Sequence, residues 1–148
     1  METLQEIMKK VLADTFALYL KAHNYHWNVE GSNFPQYHEF FGNLYEELHG
    51  AVDPIAEQIR ALDTYAPGSM TRFMELTDIE DELAVPAGVE MARRLMTDNE
   101  RVLATLNIAF KLADTMDKQG LADFIAGRID IHSKHGWMLR TSAKSTGA

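Results

Sequence analysis

The apolar residues of this chain recur in alternating steps of three and four over four long stretches, and this spacing constrains the fold more than any other feature. In the first stretch, from Leu4 to Tyr25, the series includes Met8, Val11 and Leu18. Steps of three and four place side chains along one face of an α-helix, whereas a strand alternates every second residue. No segment alternates like a strand, so we predict an all-α protein.

Turn signals separate the four predicted helices. Their predicted ranges are Leu4–Tyr25, Phe34–Leu62, Ala87–Met116 and Leu121–Arg140. The long connection 63–88 contains a short amphipathic piece, Ser69–Leu76, which predicts a small extra helix in the crossover. Two helical hairpins joined by one long crossover are typical of the ferritin-like four-helix bundle. We expect a single domain over residues 1–148, with a short flexible tail at 141–148.

Glycine and proline predict local details of the second helix. Gly31 can take a left-handed conformation in the preceding turn, and Ser32 or Asn33 can cap the helix that follows. Pro54 lies well inside the helix, where it removes one backbone donor and clashes with the turn before it. We therefore expect a kink or a local bulge near Gly50.

Charge and composition narrow the classes of partner. The chain has 22 acidic and 14 basic residues, a formal net charge of -8 and no cysteine. This charge repels nucleic acid and anionic membranes and favours cations. Neither a signal peptide nor an apolar run of ~20 residues is present, so we expect a cytoplasmic protein without a membrane span.

Two histidines and two carboxylates form the candidate metal site. His26 lies near the end of the first helix and His38 near the start of the second, so an antiparallel hairpin places both imidazoles at similar heights. Asp53 and Glu57, four residues apart on the second helix, lie one above the other. Nitrogen and carboxylate oxygen together suit iron, zinc or manganese. A second interpretation of the same spacing treats all four as ordinary polar and solvated residues.

Helix geometry divides this candidate site between two chains. His38 and Asp53 are separated by fifteen residues, which is about 22 Å at the rise of an α-helix. One chain therefore cannot bring all four ligands to one metal. Antiparallel pairing of two such helices about a two-fold axis would place the histidines of one chain against the carboxylates of the other, giving two equivalent sites per dimer.

Residues 26–62 resemble the signature of the Dps family, the DNA-binding proteins from starved cells. The resemblance lies in His26-Trp27-Asn28-Val29-x-Gly31-x-x-Phe34-x-x-x-His38, in Asp53-x-x-Ala56-Glu57-x-Ile59-x-x-Leu62, and in Arg128-Ile129-x-x-His132-x-Lys134-x-x-Trp137-Met138-Leu139-Arg140. It implies a hollow dodecamer built through two-fold and three-fold interfaces. It also implies di-iron ferroxidase centres at the two-fold interfaces, with His26 and His38 from one subunit and Asp53 and Glu57 from its partner.

The resemblance further implies a reaction. Ferrous iron is oxidised by hydrogen peroxide or oxygen, and ferric mineral is stored inside the shell, which protects against oxidative damage. Trp27 is then an aromatic residue beside the site, and three acidic residues are candidates for the lining of an iron-entry pore: Asp114, Asp117 and Asp123. Gly42 departs from the family pattern, since an acidic residue often supports the site there, and Pro54 and Ser133 depart as well.

Other functions stay open at the level of sequence. Glu46-x-x-His49 copies half of the intrasubunit di-iron motif of larger ferritins, but the last helix lacks the second half, so we interpret this pair as a solvated face. The remaining alternatives are a non-catalytic cation-binding shell, a DNA-associating structural protein and a monomeric metal-binding bundle. DNA binding is the least supported, because the chain is acidic and has no lysine-rich arm.

Overall fold

The structure, a computed structural model, describes residues 2–144 and contains four long α-helices and one short one. Their bounds are α1 Leu4–Asn28, α2 Phe34–Ala61, α3 Met70–Leu76, α4 Gly88–Thr115 and α5 Gln119–Ala143. Residues 2–144 include no strand, which confirms the prediction of an all-α fold. The ends of the long helices differ from their predicted positions by at most three residues.

The helices pack as two antiparallel hairpins around one core. α1 packs on α2, α4 packs on α5, α1 joins the two hairpins by packing on α4, and α3 lies against α1. Burying one apolar stripe from each long helix supplies most of the stability of such a bundle. The largest fully buried side chains include Met8, Leu18, Tyr25, Phe41, Ile55, Met91 and Leu106. Within residues 2–144, no helix is long and apolar enough to cross a membrane.

A capping box begins α1, and a turn with a glycine follows it. A capping box begins the helix, because Thr3 Oγ1 accepts a bond from the Glu6 N–H at 3.1 Å while Glu6 Oε2 accepts one from the Thr3 N–H at 2.8 Å. After α1, Gly31 has a φ of 114°, the positive value that its sequence position predicted. Asn33 is the N-cap of α2, but its side chain makes no capping hydrogen bond.

Pro54 does not interrupt α2. The helix is α-helical at every residue from Phe34 to Ala61, so the predicted local bulge near Gly50 is wrong. The cost of proline in a helix comes from its missing N–H and from crowding of the carbonyl four residues earlier. Gly50 and Pro54 are both exposed, so water can hydrogen-bond to the Gly50 carbonyl.

α5 continues past its predicted end. Leu139 and Ala143 are both buried and are spaced by one helical turn, so the buried face of α5 extends to the last residue of the helix. Residues 141–143 are therefore helical and are not part of the flexible tail that we expected at 141–148. The last four residues of that predicted tail, 145–148, lie outside the described residues.

A buried aspartate on α1 holds the crossover to the bundle. The side chain of Asp14 is fully buried. Its Oδ1 accepts bonds from Thr77 Oγ1 at 2.6 Å and from the Asp78 N–H at 3.1 Å, and its Oδ2 accepts one from Thr105 Oγ1 at 3.3 Å. Burial raises the pKa of Asp14, and the bonds from Thr77 and Asp78 oppose that rise. The crossover thus depends on polar contacts as well as on α3.

A second anchor lies further along the crossover. Glu82 accepts hydrogen bonds from the Tyr25 hydroxyl at 2.5 Å and from Arg94 Nη1 at 2.6 Å. Burial, and then the bond to Glu82, raises the pKa of the Tyr25 hydroxyl, so Tyr25 acts as a donor. This pair of bonds links α1, the crossover and α4, because one side chain comes from each.

Replacing Asp14 with alanine should destabilise the protein by about 1–3 kcal/mol, because the Thr77 hydroxyl and the Asp78 N–H would lose their shared acceptor. Asp78→Ala is the matched control, since it removes only the exposed ion pair with Lys10 and should cost less than about 1 kcal/mol. Urea denaturation followed by circular dichroism measures both values. Equal stability losses in the two variants would contradict the anchoring role of Asp14.

Candidate functional site

His26 of α1 and His38 of α2 lie against each other where the first hairpin turns. Their rings stack with centroids 3.8 Å apart and an interplanar angle of 16°. His26 Nδ1 lies 2.7 Å from the His38 carbonyl oxygen, and His38 Nδ1 lies 2.7 Å from the His26 carbonyl oxygen. The structure thus brings together the two histidines that the sequence placed at similar heights.

These reciprocal hydrogen bonds define the tautomer of both rings. A carbonyl oxygen only accepts hydrogen bonds, so each Nδ1 carries a proton and donates it. In a neutral imidazole the other nitrogen, Nε2, then keeps its lone pair. A backbone carbonyl bonded to the far nitrogen is the usual support of a metal-binding histidine. Both rings are half-buried and hold a donor nitrogen suited to a divalent metal.

The end of α1 explains why this pairing forms. The last carbonyls of a helix have no N–H partner within the helix. His26 lies in the last turn of α1, and its carbonyl receives the Nδ1–H of His38 instead. The short turn at 29–33 returns the chain directly onto α1, so the two histidines meet. The same bond therefore satisfies a helix end and orients a candidate ligand.

Neighbouring residues hold the two rings in place. Phe34 stacks on His38 with ring centroids 5.0 Å apart, and Tyr45 lies 5.2 Å from the ring of His26. Gly42 leaves room for His26, because a Cβ added at Gly42 would lie 3.0 Å from both Cε1 and Nδ1 of that ring. The glycine that departs from the family pattern therefore lies in direct contact with a candidate ligand.

The two candidate carboxylates do not reach this histidine pair within one chain. Asp53 and Glu57 are both exposed and lie further along α2, towards its C-terminal end. Within residues 2–144 of a single chain, no group of three histidine, aspartate or glutamate side chains is arranged to hold a metal ion. On one chain the histidine pair and the carboxylate pair therefore stay apart.

Trp27 lies at the surface beside the histidine pair. It is 59% exposed and packs on His23, with ring centroids 3.9 Å apart. His23 in turn stacks on Tyr45 at 3.7 Å and within 6° of parallel. Burial lowers the pKa of His23, and the nearby histidines add to that effect, so the ring is held neutral between its aromatic neighbours.

The remaining candidate residues lie on the surface. Asp114, Asp117 and Asp123 are exposed around the turn between α4 and α5, and their role in a pore stays a prediction. Glu46 and His49, the half-motif that we interpreted as a solvated face, are exposed as well.

The sequence analysis missed a cluster of charged and polar side chains between α2, α4 and α5. The carboxylate of Glu47 on α2 accepts hydrogen bonds from Arg128 Nη1 at 2.5 Å and from Arg128 Nη2 at 3.1 Å. Its Oε1 also lies 2.7 Å from His135 Nε2. His132 lies 3.0 Å from Arg128 Nη2 through its Nε2 and 2.7 Å from Asn99 Oδ1 through its Nδ1. One signal was available, because Glu47 falls three residues after the buried Leu44 and four before the buried Ala51.

Burial controls the protonation of this cluster. Burial, followed by the positive charge of Arg128, lowers the pKa of His132 to about 3, so the ring is neutral. Burial by itself raises the pKa of the Glu47 carboxyl group. The hydrogen bonds from His135 and Arg128 outweigh burial and lower the pKa of Glu47 to about 2. The cluster is therefore an ionised carboxylate and a guanidinium next to a neutral, buried imidazole.

Comparison with known proteins places this chain among relatives of similar length. The Ferritin-like domain profile matches residues 5–146. The DNA protection during starvation protein 2 of Bacillus anthracis is 33% identical over 135 residues, which cover 91% of this chain and 92% of that protein. A low temperature-induced protein of Nostoc sp. is 34% identical over 137 residues, covering 91% of this chain and 76% of that protein.

Solved structures agree with these relatives. A Dps protein from Bacillus brevis has a TM-score of 0.91 at 28% identity and covers 97% of this chain and 100% of its own. The antigen TpF1 from Treponema pallidum has a TM-score of 0.92 at 29% identity, covering 96% of this chain and 92% of its own. The expected ferritin-like bundle with a small crossover helix is confirmed by this agreement.

Gly42→Ala should weaken metal binding at the histidine pair while the protein stays folded, because the new methyl group would push the His26 ring from its bond to the His38 carbonyl. Gly50→Ala is the matched control, since a Cβ there meets nothing and alanine favours a helix by up to about 1 kcal/mol. Titration with Co²⁺ followed by visible absorbance compares the two. Equal affinities in both variants would show that Gly42 does not position His26.

Acid should destabilise the cluster around His132. The His132 ring is neutral in the folded state down to about pH 3 but gains a proton near pH 6.5 in the unfolded state. Its contribution to the free energy of unfolding is therefore fully present above pH 6.5 and is lost as the pH falls below that value. Stability should fall by about 1.4 kcal/mol per pH unit between those values, and Glu47 should add a second loss below its ordinary pKa of 4.5. Denaturation between about pH 6 and 5 should show a shallower slope for His132→Gln. Identical slopes would contradict a buried neutral His132.

Proposed function

This chain belongs to the Dps family of ferritin-like proteins, and on that premise we propose that it oxidises ferrous iron at sites shared between subunits and stores the ferric product. The family as a whole supports iron storage and protection against oxidative damage. The observation that carries the finer proposal is the reciprocal bonding of His26 and His38, which leaves two Nε2 lone pairs beside each other.

The ligand set suits iron as a substrate that must enter, react and leave. Imidazole nitrogen binds ferrous iron, and carboxylate oxygen favours the ferric state that forms on oxidation. His26 and His38 of one subunit would supply the nitrogens, while Asp53 and Glu57 of the partner subunit would supply the oxygens. Zinc or manganese can occupy the same donors, since both accept nitrogen and oxygen ligands.

The separation of the two ligand pairs supports a site at a two-fold interface. The rise of α2 separates His38 from Asp53 by about 22 Å, and within residues 2–144 neither pair has a third histidine or carboxylate ligand from its own chain. Two large apolar side chains, Trp27 and Phe34, are also exposed beside the histidine pair. Such exposed apolar surface is typical of subunit contacts. The full assembly that we propose is the hollow dodecamer of the family.

The oxidation conserves electrons and atoms. Two ferrous ions lose one electron each, and hydrogen peroxide takes both electrons as its O–O bond breaks. With two protons from solvent the peroxide leaves as two water molecules. No single-electron step then releases a hydroxyl radical, so the reaction removes ferrous iron and peroxide together. Oxygen is the alternative electron acceptor for the same ions.

Two other functions make different predictions. A non-catalytic cation-binding shell would bind iron at the same ligands but leave it ferrous. A DNA-associating structural protein would need positive charge to neutralise phosphates, and the formal net charge of -8 opposes that. We therefore propose that DNA binding is absent or weak in this protein.

The ferroxidase proposal predicts fast formation of ferric iron when protein, ferrous iron and hydrogen peroxide are mixed without oxygen. The rise of ferric absorbance in a stopped-flow instrument measures the rate, and buffer without protein is the reference. His38→Ala should reduce the rate by at least about tenfold, because one of the two nitrogen donors is lost. A wild-type rate equal to that of buffer would overturn the proposal.

Mixed shells test whether the site is shared. His26→Ala and Asp53→Ala chains should each be inactive alone, but a mixed dimer has one site with both defects and one intact site. Random mixing should therefore restore about a quarter of the wild-type activity. As a control, His26→Ala chains mixed with chains that carry both substitutions should stay inactive. No recovery in the first mixture would contradict a site divided between subunits.

A further inference from the structure

We propose that Tyr19 lends one electron to hydrogen peroxide when a single ferrous ion is bound at the histidine pair, while His23 holds the proton of the Tyr19 hydroxyl. This role rests on the proposed function, because the same iron and the same peroxide take part. Two ferrous ions supply the two electrons that peroxide needs, but one ion supplies only one. Reduction of peroxide by one electron releases a hydroxyl radical, and a second electron from the protein prevents that release.

Tyr19 and His23 form a hydrogen-bonded pair on α1. They are four residues apart, so one turn of the helix places both side chains on the same face. The Tyr19 hydroxyl oxygen lies 3.1 Å from His23 Nδ1. Burial lowers the pKa of His23, so the ring is neutral and one of its nitrogens has a lone pair. A phenol is a stronger acid than a neutral imidazole, so the hydroxyl donates and Nδ1 accepts.

Two aromatic neighbours hold the His23 ring in place. The ring of Tyr45 stacks on it with centroids 3.7 Å apart and planes within 6° of parallel, and Trp27 lies 3.9 Å away. These contacts fix the plane of the imidazole. The hydrogen bond to Tyr19 then selects the orientation within that plane in which Nδ1 faces the hydroxyl. The proton acceptor is therefore in position before any oxidation occurs.

A short series of aromatic rings connects Tyr19 to the candidate iron ligand His26. The ring centroid of Tyr45 lies 6.2 Å from that of Tyr19 and 5.2 Å from that of His26. The rate of electron transfer falls steeply with the distance between donor and acceptor, so two short steps are faster than one long step. Tyr19 is thus within electron-transfer reach of the histidine pair without being a ligand.

The surroundings of Tyr19 suit a neutral radical. Its half-buried ring lies 5.6 Å from the ring of Phe16 and 4.9 Å from that of His49, measured between centroids. An oxidised phenol is a very strong acid, so its proton must leave as the electron leaves. His23 Nδ1 is within hydrogen-bond reach and takes that proton. The product is a neutral tyrosyl radical beside an imidazolium ion.

The two steps conserve electrons and protons. In the first step the ferrous ion and Tyr19 each give one electron to peroxide, the O–O bond breaks, and two hydroxide ions form. The hydroxyl proton of Tyr19 moves to His23. In the second step a new ferrous ion gives one electron to the radical, and His23 returns the proton. The sum is the oxidation of two ferrous ions by one peroxide, with the protein unchanged.

Tyr19→Phe tests the electron transfer, because it removes the hydroxyl and keeps the ring. The assembled protein is loaded without oxygen with ferrous iron equimolar to the chains, mixed with hydrogen peroxide, and frozen for electron paramagnetic resonance. We expect a tyrosyl radical that falls at least about tenfold in Tyr19→Phe, in which spin-trapped hydroxyl radical should rise. Tyr65→Phe is the matched control, since Tyr65 is exposed and lies under Arg60, and both signals should match the natural protein.

His23→Phe tests the proton acceptor, because it keeps an aromatic ring beside Tyr45 and Trp27 but has no nitrogen. Formation of the radical should slow at least about tenfold. High-field spectra report hydrogen bonding to a tyrosyl oxygen, so the natural protein should show a bonded radical and His23→Phe an unbonded one. Loss of packing alone would not change that signature. Equal rates and equal spectra would overturn the role of His23.

Oxidation without iron separates this proposal from the ferroxidase proposal. A photo-oxidised ruthenium tris-bipyridine complex removes one electron from the protein in the absence of iron and peroxide. The natural protein should again form the hydrogen-bonded radical, and Tyr19→Phe should lack it. Failure of the ferroxidase reaction appears as an absence of ferric iron. Failure of the Tyr19 role appears as ferric iron formed with the same radical signal in Tyr19→Phe, or as no hydrogen-bonded radical in the iron-free experiment.

Discussion

The antiparallel contact between α1 and α2 is the interaction on which the candidate site depends. The turn at 29–33 is short, so the last turn of α1 faces the first turns of α2. The carbonyl of His26 then receives the side chain of His38, and the reverse bond forms at the same distance. These two bonds give a carbonyl at the end of α1 a hydrogen-bond donor, and they also orient both imidazoles. The two candidate ligands are therefore held in place before any metal binds.

The hairpin turn brings the two histidines together, whereas the continuous helix α2 keeps the two carboxylates away from them. A continuous helix keeps Asp53 and Glu57 far from His38 whatever the local packing, and Pro54 does not shorten the distance because it leaves α2 unbroken. In the proposed site, affinity for iron is therefore coupled to assembly, since the ligands meet only when two subunits do. Iron oxidation would then be confined to assembled shells that can retain the ferric product.

Polar groups in the bundle interior perform two different tasks. Asp14 holds the crossover through hydroxyl and amide donors, so its burial stabilises a segment with little regular structure. Glu47 and Arg128 instead form an ion pair between α2 and α5, and both side chains line a groove between these helices. A buried ion pair adds little net stability compared with good apolar packing.

The sequence by itself determined the all-α class, the order of the helices and the separation of the two ligand pairs, because apolar spacing and helical rise are properties of the local chain. The pairing of His26 with His38 also followed from counting residues across one turn. Only the tertiary structure decided the bonding of the two rings, the contact of Gly42 with His26, and the cluster of Glu47 with Arg128. Those features depend on how each helix is rotated and how far apart α2 and α5 lie, which residue spacing along one helix does not specify.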